Sequence, residues 1–231
     1  MSSPTLTFTP AMWHASKAGR KNTTRRLITA DCFLSADRRL KVLGDEGTSK
    51  TAAHQPGQIK PMVTSWAVGK DCDAAKPCDI NKDALIAEIA ADLHGLWWDD
   101  GSQKPTWAGK TRPGRFLPKS LYSLAPQVEI LTVHPEFLHD ITAAGALQEG
   151  ISTITKDDGR TWKFGLADHD GFPGTDDFGW PWQEWRLNAR DAYFKLWDTI
   201  NAQKAKGQYA ATHNPPCWVI TYRLLTTSVQ L

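Results

Sequence analysis

The chain has 231 residues, of which 41% are hydrophobic and 23% charged, with a formal net charge of +2. That length buries an ample core for one large domain or two small ones, and the composition excludes wholesale disorder. No apolar run approaches the ~18–20 residues of a membrane span, and MSSPTLTFTPAMW has no basic region followed by an apolar one, so a cytoplasmic protein with no membrane contact is expected.

The alternating TLTFT predicts a strand over Thr5–Thr9. RRLITADCFL predicts another over Arg25–Leu34. After it, Ser35 either caps a short helix closed by Gly44 or begins a turn, Ser35–Asp37, into a second strand. Residues 44–61 read as a long polar loop and Pro61–Gly69 as a strand. Lys82–Leu96 is helical by its stripe of Leu85, Ile86, Ile89, Leu93 and Leu96, with Asn81 or Asp79 as cap. A loop over Asp99–Pro118 leads to a strand over Val128–His134, and Pro135 opens a short helix to Ala144. Asp-Gly between alternating runs predicts a hairpin over Ile151–Ala167. A loop of glycines, acids and aromatics, Asp168–Trp182, precedes a helix from Pro181 to about Lys206, with Trp185, Ala189, Ala192, Tyr193, Leu196 and Ile200 as its apolar stripe. CWVITYRLL closes the chain as a strand. Helices that separate strands, together with hairpins, predict an α+β fold with a mainly antiparallel sheet and packed helices.

The cations are unevenly placed. Ser16–Lys41 carries eight Lys/Arg and two Asp, a charge of +6, so the remaining residues sum to −4. Lys17, Arg20, Lys21, Arg25 and Arg26 fall within ten residues, and a second basic loop over Lys104–Lys119 carries Lys110, Arg112 and Arg115. Two such segments in an otherwise acidic chain point to a polyanionic partner, and arginine suits bidentate phosphate contacts. His14, between Trp13 and the basic segment, is a candidate general acid or base.

Other chemistries find less. Cys32, Cys72, Cys78 and Cys217 do not show zinc spacing. There is no G-x-S-x-G, P-loop or dinucleotide fingerprint. Asp168, His169, Asp170, Asp176 and Asp177 share one loop and are the alternative: a metal-dependent hydrolase. Eleven tryptophans leave room for a third reading, a protein-interaction module without chemistry.

TTRRLI offers Arg25 or Arg26, ADRRLK offers Arg38 or Arg39, and VITYRLL offers Arg223 on the last strand. In length, α+β pattern and the placement of these arginines the chain resembles the RAMP superfamily of CRISPR-associated proteins, in particular the type IV repeat-RNA endoribonucleases. It departs from them in showing no glycine-rich loop near the C-terminus. The resemblance implies ferredoxin-like modules, either in one α+β domain over 1–231 or as two halves divided near 119–127. It implies binding of structured CRISPR repeat RNA, cleavage without metal or cofactor by attack of the RNA 2′-OH, and other subunits of a ribonucleoprotein complex as partners. A non-cutting subunit that holds the RNA would look the same. On this reading Arg26, Arg38 and Arg223, with His14, are catalytic. Lys17, Arg20, Lys21, Arg25, Arg39, Lys41, Lys110, Arg112 and Arg115 bind RNA, and no residue holds a metal. Lys204, on the far end of the long helix, is expected to take no part.

Overall fold

A computed structural model describes residues 5–30, 32–34, 40–42, 52–91, 95–174 and 179–225. In chain order the strands and α-helices are β1 (Leu6–Thr7), α1 (Pro10–Lys17), β2 (Thr23–Leu27), β3 (Cys32–Leu34), β4 (Leu40–Val42), β5 (Ile59–Val63), β6 (Trp66–Ala67), α2 (Lys82–Ala90), β7 (Trp97–Trp98), β8 (Gln127–Phe137), α3 (Ala143–Gln148), β9 (Ser152–Thr155), β10 (Trp162–Gly165), α4 (Ala189–Asn201) and β11 (Pro216–Leu225). The fold is α+β: five strands form one sheet in the order β1-β5-β8-β11-β2, antiparallel throughout except for the parallel pair β1 and β5. No helix among the described residues is long and apolar enough to cross a membrane.

The hairpin of β9 and β10 lies where Asp-Gly predicts it, with Trp162 opposite Thr155. The run Arg25–Leu34 is two strands, β2 and β3, and β3 pairs back with β4, so the chain does turn into a second strand. Where a helix is expected over Pro135–Ala144, β8 instead continues to Phe137, paired with β11, a 3-10 turn follows over Leu138–Asp140, and α3 begins only at Ala143. Proline lacks an N–H and is tolerated in a sheet only where no ladder bond is needed. That condition holds at Pro135, because β5 pairs with β8 only through Glu129 and leaves the far part of β8 open on that side. The helix expected from Pro181 begins only at Ala189, where the Asn188 side chain accepts a hydrogen bond from the Arg190 N–H. Trp185 is buried outside the helix, its ring so close to Gly165 that a Cβ there would stand 2.5 Å from it.

Helix α1 is not anticipated by the hydrophobic pattern. Thr9 caps it and Pro10 fills its first turn. It crosses from β1, at one edge of the sheet, towards β2, at the other. On the way Trp13 donates its indole N–H to the Met62 carbonyl at 3.2 Å, and Ser16 meets the Tyr222 hydroxyl at 2.6 Å. Trp13 is buried with Leu6, Met62, Ile130, Ile220, Tyr222 and the α4 residues Tyr193, Leu196 and Trp197. A ring of this size removes about 150–250 Å² from water, worth roughly 4–6 kcal/mol by area. A second cluster gathers Val63, Trp66, Val68, Leu85, Leu117 and Leu121, and Trp98 packs against both. The sheet curls enough for its two edges to meet: Arg26 on β2 donates to the Thr7 carbonyl on β1 at 2.5 Å.

Candidate functional site

The seam where β1 and β2 approach holds a cleft of about 470 Å³. Thr7–Thr9 and Met12 form one wall, β2 another, and Tyr193, Leu196, Trp197 and Ile200 of α4 the apolar floor. Lys21, Arg25, Arg26, Arg115 and Lys204 line it, against Glu149 as the one carboxylate among the described residues. The first turn of α1 borders the same space and adds the positive end of a helix dipole.

The cations fall into two kinds. Lys21 and Arg25 are buried and paired. Lys21 Nζ lies 2.6 Å from Glu149 Oε2 and also donates to the carbonyls of Thr23 and Glu149. Burial lowers its pKa, with Glu149 opposing. Arg25 is shared between Glu136 at 2.6 Å and Glu149 at 3.0 Å, and its guanidinium lies over the Tyr193 ring. Burial pulls the Arg25 pKa down, but Glu149, Tyr193 and Glu136 outweigh it and hold it above the usual value. These two side chains therefore do not reach out to phosphate as the sequence suggests. They set the field of the cleft and fix the carboxylate in it.

Arg26 is of the second kind. Its hydrogen bond goes to a backbone carbonyl, its guanidinium lies 5.2 Å from the Phe8 ring, and no carboxylate among the described residues pairs with it. Burial lowers its pKa, yet a guanidinium stays charged at neutral pH. Arg115, over Phe116, and Lys204, bonded to Asn201, complete the uncompensated set. Glu149 and Glu136 pair with Lys21 and Arg25, so the three charges of Arg26, Arg115 and Lys204 stand without an ion pair among the described residues.

Several expected site residues stand elsewhere. Arg223 pairs on the surface with Glu129. Trp218 is the β11 partner of Arg26, and Arg223 is five residues further along, about 17 Å at strand rise, so the two do not share one phosphate. His14 does not line the cleft. Its pKa is lowered, first by burial and then by Arg20, with Asp100 opposing. Lys17 covers the Trp13 ring and Arg20 donates to Ser152. Arg112 is a structural cation, 6% exposed, over the Trp66 ring and donating to the Cys72 carbonyl. Lys110 binds Asp73 through its backbone N–H, and Lys41 is exposed on β4. Arg38 and Arg39 lie outside the described residues, as do Asp176 and Asp177. Lys204, set aside on sequence grounds, belongs to the cleft. Among the described residues no three His, Cys, Asp or Glu side chains are grouped to hold a metal ion, and Asp168 is engaged with His169 at 2.8 Å.

The sequence reading misses Glu149, which carries no motif, and His54. His54 is 6% exposed, its Nδ1 finds no partner among the described residues, and burial with the nearby Arg26 and Lys60 pushes its pKa down to about 4. The folded value lies below the unfolded one of about 6.5, so the unfolded chain binds the extra proton in between. Stability is full above pH 6.5 and falls as pH drops towards 4, by on the order of 1 kcal/mol per pH unit. Melting temperatures between pH 7 and pH 5 measure this, and His54→Gln is expected to flatten the slope. Equal slopes in both proteins would place the titration elsewhere.

No protein-family model, no curated protein and no solved structure matches the chain.

Proposed function

We propose that this protein binds RNA, with backbone phosphates seated in the cleft between β1, β2 and α4 against Arg26, Arg115 and Lys204. The carrying observation is the half-buried guanidinium of Arg26, held in place by a carbonyl and a ring but paired with no carboxylate among the described residues. A cation kept partly out of water without a directly paired counter-charge costs stability, and an anionic ligand offsets that cost. Ile200, 43% exposed on the apolar floor beside it, offers apolar contact to a ligand that carries a base as well as charge.

The RAMP resemblance names the RNA as structured CRISPR repeat RNA and the setting as a ribonucleoprotein complex built on ferredoxin-like modules. Cleavage belongs to the same proposal. The 2′-oxygen attacks the adjacent phosphorus, the bond to the 5′-oxygen breaks, and a cyclic phosphate and a 5′-hydroxyl result. Arg26 would stabilise the charge that develops on the phosphorane. With Arg223 far along β11, the cleft supports binding more directly than it supports a three-arginine centre.

Affinity for a repeat-RNA hairpin with a single-stranded flank, measured against salt, tests the proposal. Three phosphate contacts predict a log–log slope of about −2 to −3. Affinity unchanged between ~50 and ~200 mM salt would rule out the electrostatic site. If cleavage is seen, EDTA is expected to leave it intact and a 2′-deoxy group at the scissile nucleotide to abolish it.

A further inference from the structure

A second pocket, of about 540 Å³, adjoins the cationic cleft. Thr9, Leu196 and Ile200 line both, so the two spaces share a rim at the start of α1 and the outer face of α4. The second pocket differs in character. Leu166 and the ring of Trp180 give it apolar walls, and among the described residues no cation lines it and Asp99 is its one ionisable group. Its size is that of a small-ligand site.

Asp99 is held in place. Its backbone N–H donates to the Ser65 carbonyl at 2.8 Å, and the chain turns behind it at Gly101, whose φ of +88° favours glycine. The Gly101 N–H supports the carboxyl, while burial raises its pKa above the usual value. A partly desolvated acceptor among apolar walls is poorly satisfied by water and gains from a ligand that donates to it.

Resting on RNA binding by the cleft, we infer that this pocket receives the nucleobase next to the seated phosphate, and that Asp99 selects a base whose Watson–Crick edge presents an exocyclic amino group. A strand whose phosphate meets Arg26 passes over the Ile200 rim, and its next base enters beside the Trp180 ring towards Asp99. Single-stranded RNA is read by stacking and by such edge contacts. The amino group of cytosine donates to the Asp99 carboxylate. Uracil sets a carbonyl oxygen at the same position and is repelled.

The test compares labelled oligocytidylate and oligouridylate of equal length, by anisotropy at low salt, with wild-type protein, Asp99→Asn and Trp180→Ala. Wild type is expected to prefer oligocytidylate by about tenfold, the worth of one hydrogen bond to a charged group. Asp99→Asn is expected to erase or reverse the preference, because an amide N–H donates to the uracil oxygen, and to leave the salt slope unchanged. Trp180→Ala is expected to weaken both oligomers. Equal wild-type affinity for the two, with a normal salt slope, overturns the base pocket and spares the cleft. A wild-type preference that survives Asp99→Asn overturns the role of Asp99. Binding of neither oligomer overturns pocket and cleft together.

Discussion

Glu149→Ala is expected to destabilise the protein by about 3–5 kcal/mol, because it strands two buried cations at once. The Lys21 and Glu149 side chains are 2% and 3% exposed. Lys21 spends all three of its donors on Thr23, the Glu149 carbonyl and the Glu149 carboxylate. Removing the carboxylate leaves a buried ammonium with one donor unmet, and Arg25 keeps only Glu136. At roughly 2–4 °C per kcal/mol for a chain of this size, the melting temperature should fall by about 10 °C. The double variant Lys21→Met with Glu149→Leu separates a lost charge pair from lost packing. Replacing both partners of a buried ion pair with apolar groups of similar volume is commonly neutral or better. Its melting temperature should therefore lie well above that of Glu149→Ala. If the double variant melts as low as the single one, Glu149 supports the fold by contacts other than charge.

The same pair shows what sequence can and cannot disclose. The α+β class, the β9–β10 hairpin and the long last strand are legible because period-two patterning and Asp-Gly are local signals. Pro135 misleads because proline at a helix start and proline in a strand with an open side look alike locally. The pairing of β5 with β8, which stops short of it, decides between them. Trp185 fits the apolar stripe of α4 by spacing, yet it packs against Gly165 outside the helix. Burial of an aromatic residue is visible in its type, whereas the element that buries it is not.

For the site, the +6 segment includes β2 and Arg26, but charge density says nothing about pairing. Lys21 and Arg25 read like their neighbours in sequence. Only the fold brings Glu136, more than a hundred residues away, to within 2.6 Å of Arg25, and turns part of a binding patch into a buried network. Arg112 reads as a phosphate ligand and is a cation tucked over Trp66. Lys204 is remote from the basic segment in sequence, and the chain returns it to the cleft through α4.

Arg26→Ala is expected to lower RNA affinity by about ten- to a hundredfold, the range for a lost charge-assisted contact. It should also reduce the magnitude of the log–log salt slope by about 0.7–0.9, one phosphate's share. Stability is expected to move the other way or not at all. The substitution removes a hydrogen bond to Thr7 and a contact with Phe8. It also removes a half-buried charge that no described carboxylate pairs with directly and that the more distant Glu149 offsets only in part, and sites shaped for a ligand commonly cost the unliganded fold in this way. Lower affinity with an unchanged or raised melting temperature is the signature of a binding residue. A lowered melting temperature with unchanged affinity would make Arg26 a clasp between the two sheet edges and nothing more. Arg223→Ala supplies the contrast. Its guanidinium is 65% exposed and already faces Glu129, an exposed pairing worth little to stability. It lies about 17 Å along β11 from the partner of Arg26. Its loss should leave affinity within about twofold of wild type. If cleavage of the repeat RNA nevertheless falls tenfold in Arg223→Ala, catalysis takes place at the far end of β11, and the cleft serves to hold the strand.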